Sequence, residues 1–268
     1  MIKFISLKLL LICVIHSVLS QQPTLTNTLG MEFVLIKPGS MMVGKYQPTI
    51  GKPDGVPPAI YQKAAEMALK DVKPGFTAVI DKPYYMGKYE VTQDQWKKLT
   101  GKNPAVFIND SSGNHPVENI SWNDALDFVQ KLSAFDKKHI YRLPTEFEWE
   151  YAARAGEEED ISWSAIREAA VLSGSIPSAI GMKKPNAWGL YDMLGNVWEW
   201  VQDYYNEKIF ADPVPPGLGK HHVLKGASFT GDVKNATYMT HAAGPGNGFD
   251  TGLRVVMEVR QMESNLKD

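Results

Sequence analysis

Acidic and basic side chains at helical spacing are the first residues in this sequence that could perform chemistry. Glu146, Glu150 and Arg154 follow one another at intervals of four, with Arg142 and Glu148 close by. Paired carboxylates can serve as a general acid and a general base. Residues four apart also share one face of a helix, and charge pairs on such a face more often belong to a solvated or structural surface. We therefore expect this cluster to be structural.

Histidines are the next candidates, because imidazole is the commonest metal ligand in proteins. The histidines after residue 20 are His115, His139, His221, His222 and His241. His221 and His222 are adjacent, and adjacent side chains of a strand point to opposite faces, so joint ligation of one metal would be strained. His115 and His139 are interpreted as structural.

His241 has two interpretations. The simpler one is a surface or loop histidine. The alternative is an iron site that combines His221 and His241 with Asp232 or Asp250. This arrangement would require residues from well-separated parts of the chain to meet.

Residues 1–20 predict a signal peptide. Lys3 and Lys8 precede an apolar run that ends at Ile15, followed by a plausible cleavage site. The run is too short to span a bilayer comfortably, and a retained amphipathic anchor is the alternative. Cys13 is the only cysteine, so cleavage would leave no thiol for a disulfide, a metal site or a nucleophile. We expect a secreted or periplasmic protein without a transmembrane segment.

The overall composition is that of a globular protein. The chain has 268 residues, of which 44% are hydrophobic and 22% charged, and a net charge of -2. These values exclude a collagen, a coiled coil and a wholly disordered chain. No long basic run is present, so nucleic-acid binding has no support. Nothing resembles an interdomain linker, which favours a single domain.

Helix start signals are clear at three places. Thr92 and Thr145 each begin a capping box, in which a hydroxyl and a Gln or Glu three residues later satisfy orphan backbone amides. Ser121 is the third cap. The residues after it form an apolar face at helical spacing, made of Ala125, Phe128, Val129 and Leu132. Few helix signals follow residue 170, and the many Gly, Asn and Asp residues there predict loops pinned on short strands.

Turn residues set the remaining boundaries. We predict a polar tether at 21–29, a strand at 30–36, a turn at 38–40, a returning strand at 41–44, a surface insertion at 45–82 with a short helix at 60–69, and a polar tail at 261–268.

A series of motifs makes the sequence specific. In chain order they are GMEFV (30–34), PGS (38–40), MGKYEVT (86–92), PVENISW (116–122), YRLPTEFEWEYAAR (141–154), WGLYDMLGNVWEW (188–200), LKGASF (224–229) and GLRV (252–255). The series resembles the formylglycine-generating enzyme family, also called the sulfatase-modifying factor family. The resemblance covers most of residues 30–260 and implies an α+β, formylglycine-generating-enzyme-like fold. That fold is related to C-type lectins and has little regular secondary structure and long ordered loops. Relatives include cysteine oxidases, iron-dependent sulfoxide synthases and non-enzymatic binding proteins, so the fold does not fix the function.

The resemblance implies one calcium ion in the WGLYDMLGNVWEW segment. The ligands carried over by position are the side chains of Asp192 and Glu199 and the backbone carbonyls of Gly195 and Val197. Calcium prefers such hard oxygen ligands. The alternative is that Glu199 pairs with a basic residue. The segment 161–184 lacks the start of the family's second calcium loop, so we expect no second ion.

The resemblance also implies a missing catalytic centre. Oxidising members hold copper through two cysteines, and the matching positions here are Gly231 and Ala236, which offer no ligand. We therefore expect no copper and no catalytic residue. Trp198 and Ser228 match residues of the family's substrate groove, which suits peptides or sugars. The alternative is that Trp198 is buried core and Ser228 a turn residue.

Three functions remain open on these grounds. The first is a secreted binding or accessory protein in sulfatase maturation or sulfated-polysaccharide degradation, with a peptide, a sulfatase or a polysaccharide as its ligand. The second is an oxygen-dependent metallo-oxidoreductase of altered chemistry. The third is a structural component of a cell-surface assembly.

Overall fold

The computed structural model describes residues 23–45, 57–69, 75–108, 112–210, 213–244 and 246–259. The predicted signal peptide and polar tail lie outside the described residues. The strands are β1 (Thr24–Thr26), β2 (Glu32–Ile36), β3 (Gly39–Val43), β4 (Phe76–Ile80), β5 (Tyr84–Gly87), β6 (His139–Arg142), β7 (Trp198–Tyr204), β8 (His222–Lys225), β9 (His241–Ala243), β10 (Thr251–Leu253) and β11 (Val256–Val259). The helices are α1 (Pro58–Leu69), α2 (Gln93–Thr100), α3 (Trp122–Phe135), α4 (Glu146–Arg154) and α5 (Trp163–Ala169), with a 3₁₀ turn at Val233–Asn235. The α+β prediction is confirmed.

A five-stranded antiparallel sheet forms the centre, in the order β1-β2-β5-β11-β6. Its side chains alternate between two apolar cores, so the sheet is covered on both faces. Val34 and Met86 enter one core, while Phe33 and Met257 enter the other. Trp198 packs against both cores and links them.

A second sheet carries the residues predicted to be functional, in the order β10-β7-β8-β9. Strand β10 runs parallel to β7, and Gly252 lies opposite Glu199. On the other side of β7, Glu199 faces Lys225 of β8 in an antiparallel ladder. The sheet therefore brings the WGLYDMLGNVWEW, LKGASF and GLRV motifs together.

The predicted helix caps are confirmed. Thr92, Ser121 and Thr145 each accept the backbone amide three residues later, and the side chain of that later residue accepts the amide of the cap. The apolar face of α3 is buried, and the Phe128 ring stacks on Trp96 of α2 with centroids 4.7 Å apart. Within the described ranges, no helix is long and apolar enough to cross a membrane.

Three local predictions need correction. Residues 24–26 are not a free tether, because they pair with β2 and Asn27 donates to the Tyr141 hydroxyl at 3.1 Å. The segment after the turn at 38–40 is a strand, but it does not return along β2; it pairs with β4. That strand lies inside the predicted insertion, yet Ala78 and Ile80 are buried in the core. The predicted short helix is present as α1.

Candidate functional site

The loop that precedes β7 curves tightly. Asp192 and Asn196 adopt positive φ angles of 53° and 59°, and Gly195 has a φ of 77°. A Cβ on Gly195 would lie 2.3 Å from the carbonyl oxygen of Val171, so only glycine fits there. The Gly195 amide donates to Gly226 at 2.7 Å, which anchors the loop to the end of β8.

Glu199, the predicted acidic ligand on β7, pairs with a base. Its Oε1 accepts from Nη2 of Arg254 at 2.7 Å and its Oε2 accepts from Nε1 of Trp149 at 2.6 Å. Arg254 is completely buried and also donates to the carbonyls of Gly87 (2.9 Å) and Tyr191 (2.8 Å). The alternative interpretation of Glu199 as one half of an ion pair therefore describes the structure.

Another buried carboxylate, that of Glu90, hydrogen-bonds the loop before β7. Glu90 accepts the amide of Val197 at 3.1 Å and the Nδ2 of Asn196 at 2.6 Å. Burial raises the pKa of Glu90 well above its usual range, and the nearby carboxylates of Asp192 and Glu199 raise it further. Glu90 lies in the MGKYEVT motif, but the sequence alone gives it no functional role.

Asp192 provides the test of whether calcium fits. Its Oδ2 accepts the amide of Gly181 at 2.6 Å, while its Oδ1 is buried without a partner among the described residues. Burial raises the pKa of the Asp192 carboxyl. Asp192, Glu90 and Glu199 lie around one guanidinium, that of Arg254, so the carboxyl groups outnumber the cation by three to one.

This excess and the orphaned oxygen suit a divalent cation at Asp192 with the loop carbonyls of Gly195 and Val197. Both oxygens of Glu199 already accept hydrogen bonds, so Glu199 fits as a source of charge better than as a free ligand atom. Among the described residues, no group of three or more His, Cys, Asp and Glu side chains could hold a metal ion. The predicted calcium set has only two side chains and completes itself with backbone carbonyls.

The two groove residues lie on either side of Asp250. The Ser228 Oγ donates to Oδ2 of Asp250 at 2.7 Å, and the Trp198 amide donates to the Asp250 carbonyl at 2.8 Å. The hydroxyl of Thr230 lies beside the same carboxylate, and its Oγ1 is 2.9 Å from the Ser228 Oγ. Trp198 and Asp250 are half-buried, and Ser228 is buried.

Sequence reasoning missed Glu118, which lies close to this groove. Its Oε1 accepts the amide of Phe107 at 2.8 Å, and its Oε2 is buried without a partner among the described residues. Burial raises the Glu118 pKa, and the negative charge of Asp250 adds to the shift. The carboxylate lies beneath the loop that carries Phe107, whose ring meets Phe229 edge-on at 5.4 Å.

Gly231 and Ala236, the two positions that the resemblance matches to the copper cysteines, have no side chain that could bind a metal. The Gly231 amide donates to the Ser228 carbonyl at 2.9 Å, and the Gly231 carbonyl accepts from Ser173 at 2.9 Å. Ala236 is fully buried in an apolar core. Neither position presents a ligand.

The histidines do not assemble an iron site. The Nδ1 of His221 lies 3.1 Å from the Gly244 carbonyl, whereas the Nδ1 of His241 lies 2.9 Å from Oε1 of Glu146. His241 is not a surface or loop residue, because it lies on β9 and its side chain is 12% exposed. Of the two groups offered as partners, Asp250 belongs to the groove and Asp232 caps the 3₁₀ turn.

The acidic and basic cluster of α4 forms ion pairs, and its members Glu146, Glu150 and Arg154 are buried rather than solvated. Arg154 Nη2 lies 2.8 Å from Glu150 Oε1, and the fully buried Lys225 Nζ lies 3.3 Å from Glu150 Oε2. At the start of the helix, Arg142 holds Glu148 through two nitrogens at 2.6 and 2.7 Å. These pairs tie α4 to β6 and β8.

The chain is similar to a known protein family and to several known proteins. The model of the sulfatase-modifying factor enzyme 1-like domain matches residues 18–259. The chaperone protein LppX of Paenibacillus barcinonensis is 28% identical over 65% of this chain and 79% of its own length. The formylglycine-generating enzymes of Streptomyces coelicolor and Mus musculus are 34% and 30% identical over 43% and 50% of this chain. Those alignments span 42% and 40% of the two enzymes.

Solved structures share the fold. PvdO from Pseudomonas aeruginosa superposes with a TM-score of 0.69 at 23% identity, over 89% of this chain and 99% of its own. The Treponema denticola variable protein 1 superposes with a TM-score of 0.64 at 24% identity, over 87% of this chain and 98% of its own. At these identities the likeness establishes the fold alone.

Proposed function

Because the chain belongs to the sulfatase-modifying factor enzyme 1-like domain family, we propose that it is a member that does not oxidise cysteine. Instead it acts as a secreted or periplasmic binding or accessory protein in sulfatase maturation or sulfated-polysaccharide degradation. The observation that carries this proposal is the loss of the copper ligands. By the family resemblance, Gly231 and Ala236 match the positions of the two cysteines in the oxidising members, and the only cysteine of the chain is Cys13.

The chemistry of copper explains why this loss is decisive. Copper(I) is held by soft sulfur ligands, and neither a glycine backbone nor a buried alanine methyl replaces a thiolate. By the family resemblance, Trp198 and Ser228 keep two residues of the substrate groove around the altered positions. The indole of Trp198 offers a stacking surface, and the Asp250 carboxylate with its hydroxyl partners offers hydrogen bonds, which suits a peptide or a sugar. A relative named as a chaperone and relatives named as formylglycine-generating enzymes support a role near protein maturation.

Aldehyde formation on a cysteine-containing sulfatase peptide tests the proposal. The chain, loaded with copper(I) and supplied with oxygen and a reductant, should give no aldehyde by hydroxylamine labelling and mass spectrometry. The double variant Gly231→Cys/Ala236→Cys is the matched comparison, because it restores both thiols on the same scaffold. Aldehyde made by the unaltered chain would overturn the proposal. Activity lost on chelation and restored by iron would instead support a metallo-oxidoreductase of altered chemistry.

We also propose that the loop before β7 holds one calcium ion through Asp192 and the carbonyls of Gly195 and Val197. When bound, the ion would neutralise the excess charge of the buried carboxylates and rigidify the loop that leads to Trp198. Calorimetric titration of the chelator-treated chain with calcium should show about one site per chain. Asp192→Asn should lose this site, whereas Asp127→Asn, on the exposed face of α3, should keep it. A chain that takes up no calcium, or an Asp192→Asn variant that binds it unchanged, would contradict the assignment.

A further inference from the structure

An open groove with a volume of about 670 Å³ lies between β3 and the segment that follows α4. Its floor and near wall include Ser40, Met42, Tyr151 and Met239. Its far wall is the acidic run 157–160. None of these residues belongs to the calcium loop or to the groove of Trp198 and Ser228, so this is a separate surface.

Strand β3 offers an unpaired edge to this groove. It belongs to a two-stranded sheet and pairs with β4 on one side, through all five residues from Gly39↔Ile80 to Val43↔Phe76. Within the described ranges, no other strand pairs with its outer edge. The backbone groups on such an edge can receive an additional extended strand. Met42 is 39% exposed, and Ser40, Met41 and Met42 of β3 all line the groove.

The opposite wall selects for positive charge. Glu157, Glu158, Glu159 and Asp160 are all exposed. Lys45 is the exposed base among the lining residues, whereas the guanidinium of Arg154 is 5% exposed and held by Glu150. Among the described residues that line the groove, four exposed carboxylates stand against one exposed cation, which favours a basic ligand.

Tyr151 supplies a polar group that already faces the groove. It exposes 9% of its surface, and its hydroxyl has no hydrogen-bond partner among the described residues. Gly39 makes room for it, since a Cβ there would lie 2.2 Å from the hydroxyl oxygen. The Trp188 ring meets Tyr151 edge-on at 5.1 Å and fixes its orientation. The hydroxyl can therefore hydrogen-bond a segment that binds in the groove.

We propose that this groove binds an extended peptide segment with lysine or arginine at alternate positions. The segment adds as a strand to the outer edge of β3. Side chains of an added strand alternate between the two faces, so every second residue reaches the acidic wall at 157–160. The Tyr151 hydroxyl hydrogen-bonds the bound segment. This binding is independent of the proposed calcium site and of the missing copper centre.

Fluorescence polarisation with labelled seven-residue peptides tests this proposal. The probes are a peptide of alternating lysine and valine, its counterpart of alternating glutamate and valine, and a lysine–valine peptide with alternate backbone N-methyl groups. The full chain should bind the first probe and neither of the others, because the second has the wrong charge and the third cannot join a sheet. Absent binding of the first probe, or equal binding of the first and third, would overturn the proposal.

Variants identify the groove as the site. Replacing Glu157, Glu158 and Glu159 together by glutamine should weaken binding at least about threefold, as expected for three exposed charge contacts. Tyr151→Phe should weaken it about two- to tenfold, the usual effect of one lost hydrogen bond. Glu66→Gln/Glu207→Gln removes exposed acids elsewhere and should leave affinity unchanged. Equal weakening by this control pair would show a non-specific charge effect and would refute the groove.

Discussion

Removal of the Arg254 guanidinium is the sharpest perturbation of the buried cluster beneath the calcium loop. Arg254→Met keeps a long apolar side chain but leaves the carboxylate of Glu199 without its ion-pair partner. The carbonyls of Gly87 and Tyr191 lose their donors at the same time. Breaking one side of a buried ion pair costs about 3–5 kcal/mol. For a domain of this size, that predicts a fall in Tm of about 6–20 °C.

Thermal unfolding followed by circular dichroism measures this loss, with and without calcium. Lys98→Met is the matched control, because its pair with Asp94 is exposed and should contribute no more than about 1 kcal/mol. The double variant Arg254→Met/Glu199→Met should recover part of the loss, since it removes the stranded charge. An Arg254→Met variant as stable as the Lys98→Met variant would refute the account of this cluster.

Further predictions concern packing and pH. Gly244→Ala places a Cβ about 2 Å from the Trp200 ring and should destabilise the fold by about 1–3 kcal/mol in urea unfolding. Gly217→Ala, which meets no atom within 4 Å, should change nothing, and equal effects would contradict the packing argument. Burial raises the pKa of Asp136, but hydrogen bonds from the phenol of Tyr141 and a neighbouring imidazole outweigh it and lower the pKa overall. The stabilisation is therefore present above the unfolded pKa of about 3.9 and is lost as the pH falls through the lower folded value. Asp136→Asn should destabilise the chain at pH 7 and approach the stability of the unaltered chain once the pH has fallen below the lowered folded pKa of Asp136, and a difference that persists in stronger acid would contradict this origin.

Local signals predicted the helices well. A capping box such as that of Thr92 and Gln95 has both partners within three residues, so the sequence alone contains the whole interaction. The apolar face of α3 follows equally from spacing. Pairings between distant segments could not be read in this way. The turn before β3 suggested a hairpin with β2, whereas the actual partner, β4, comes after α1.

The same limit applies to the candidate site. The resemblance to the family predicted the positions of the candidate site residues. These are Asp192, Glu199, Trp198 and Ser228. The partner of Glu199 lies 55 residues away, and spacing along the chain gives no indication of that distance in space. Tyr151 lies within a predicted helix motif, but the position of its hydroxyl depends on Gly39 of β3, which spacing along the chain does not bring near it.

Elemental analysis tests the central claim most directly. The chain, produced from residue 21 onward, is incubated with both calcium and copper(I), desalted and analysed for each metal. The account predicts about one calcium per chain and no stoichiometric copper, because the loop before β7 supplies hard oxygens and no described residue supplies a thiolate. Copper bound at about one per chain would contradict the account and would reveal a redox centre that the replaced cysteine positions should not support.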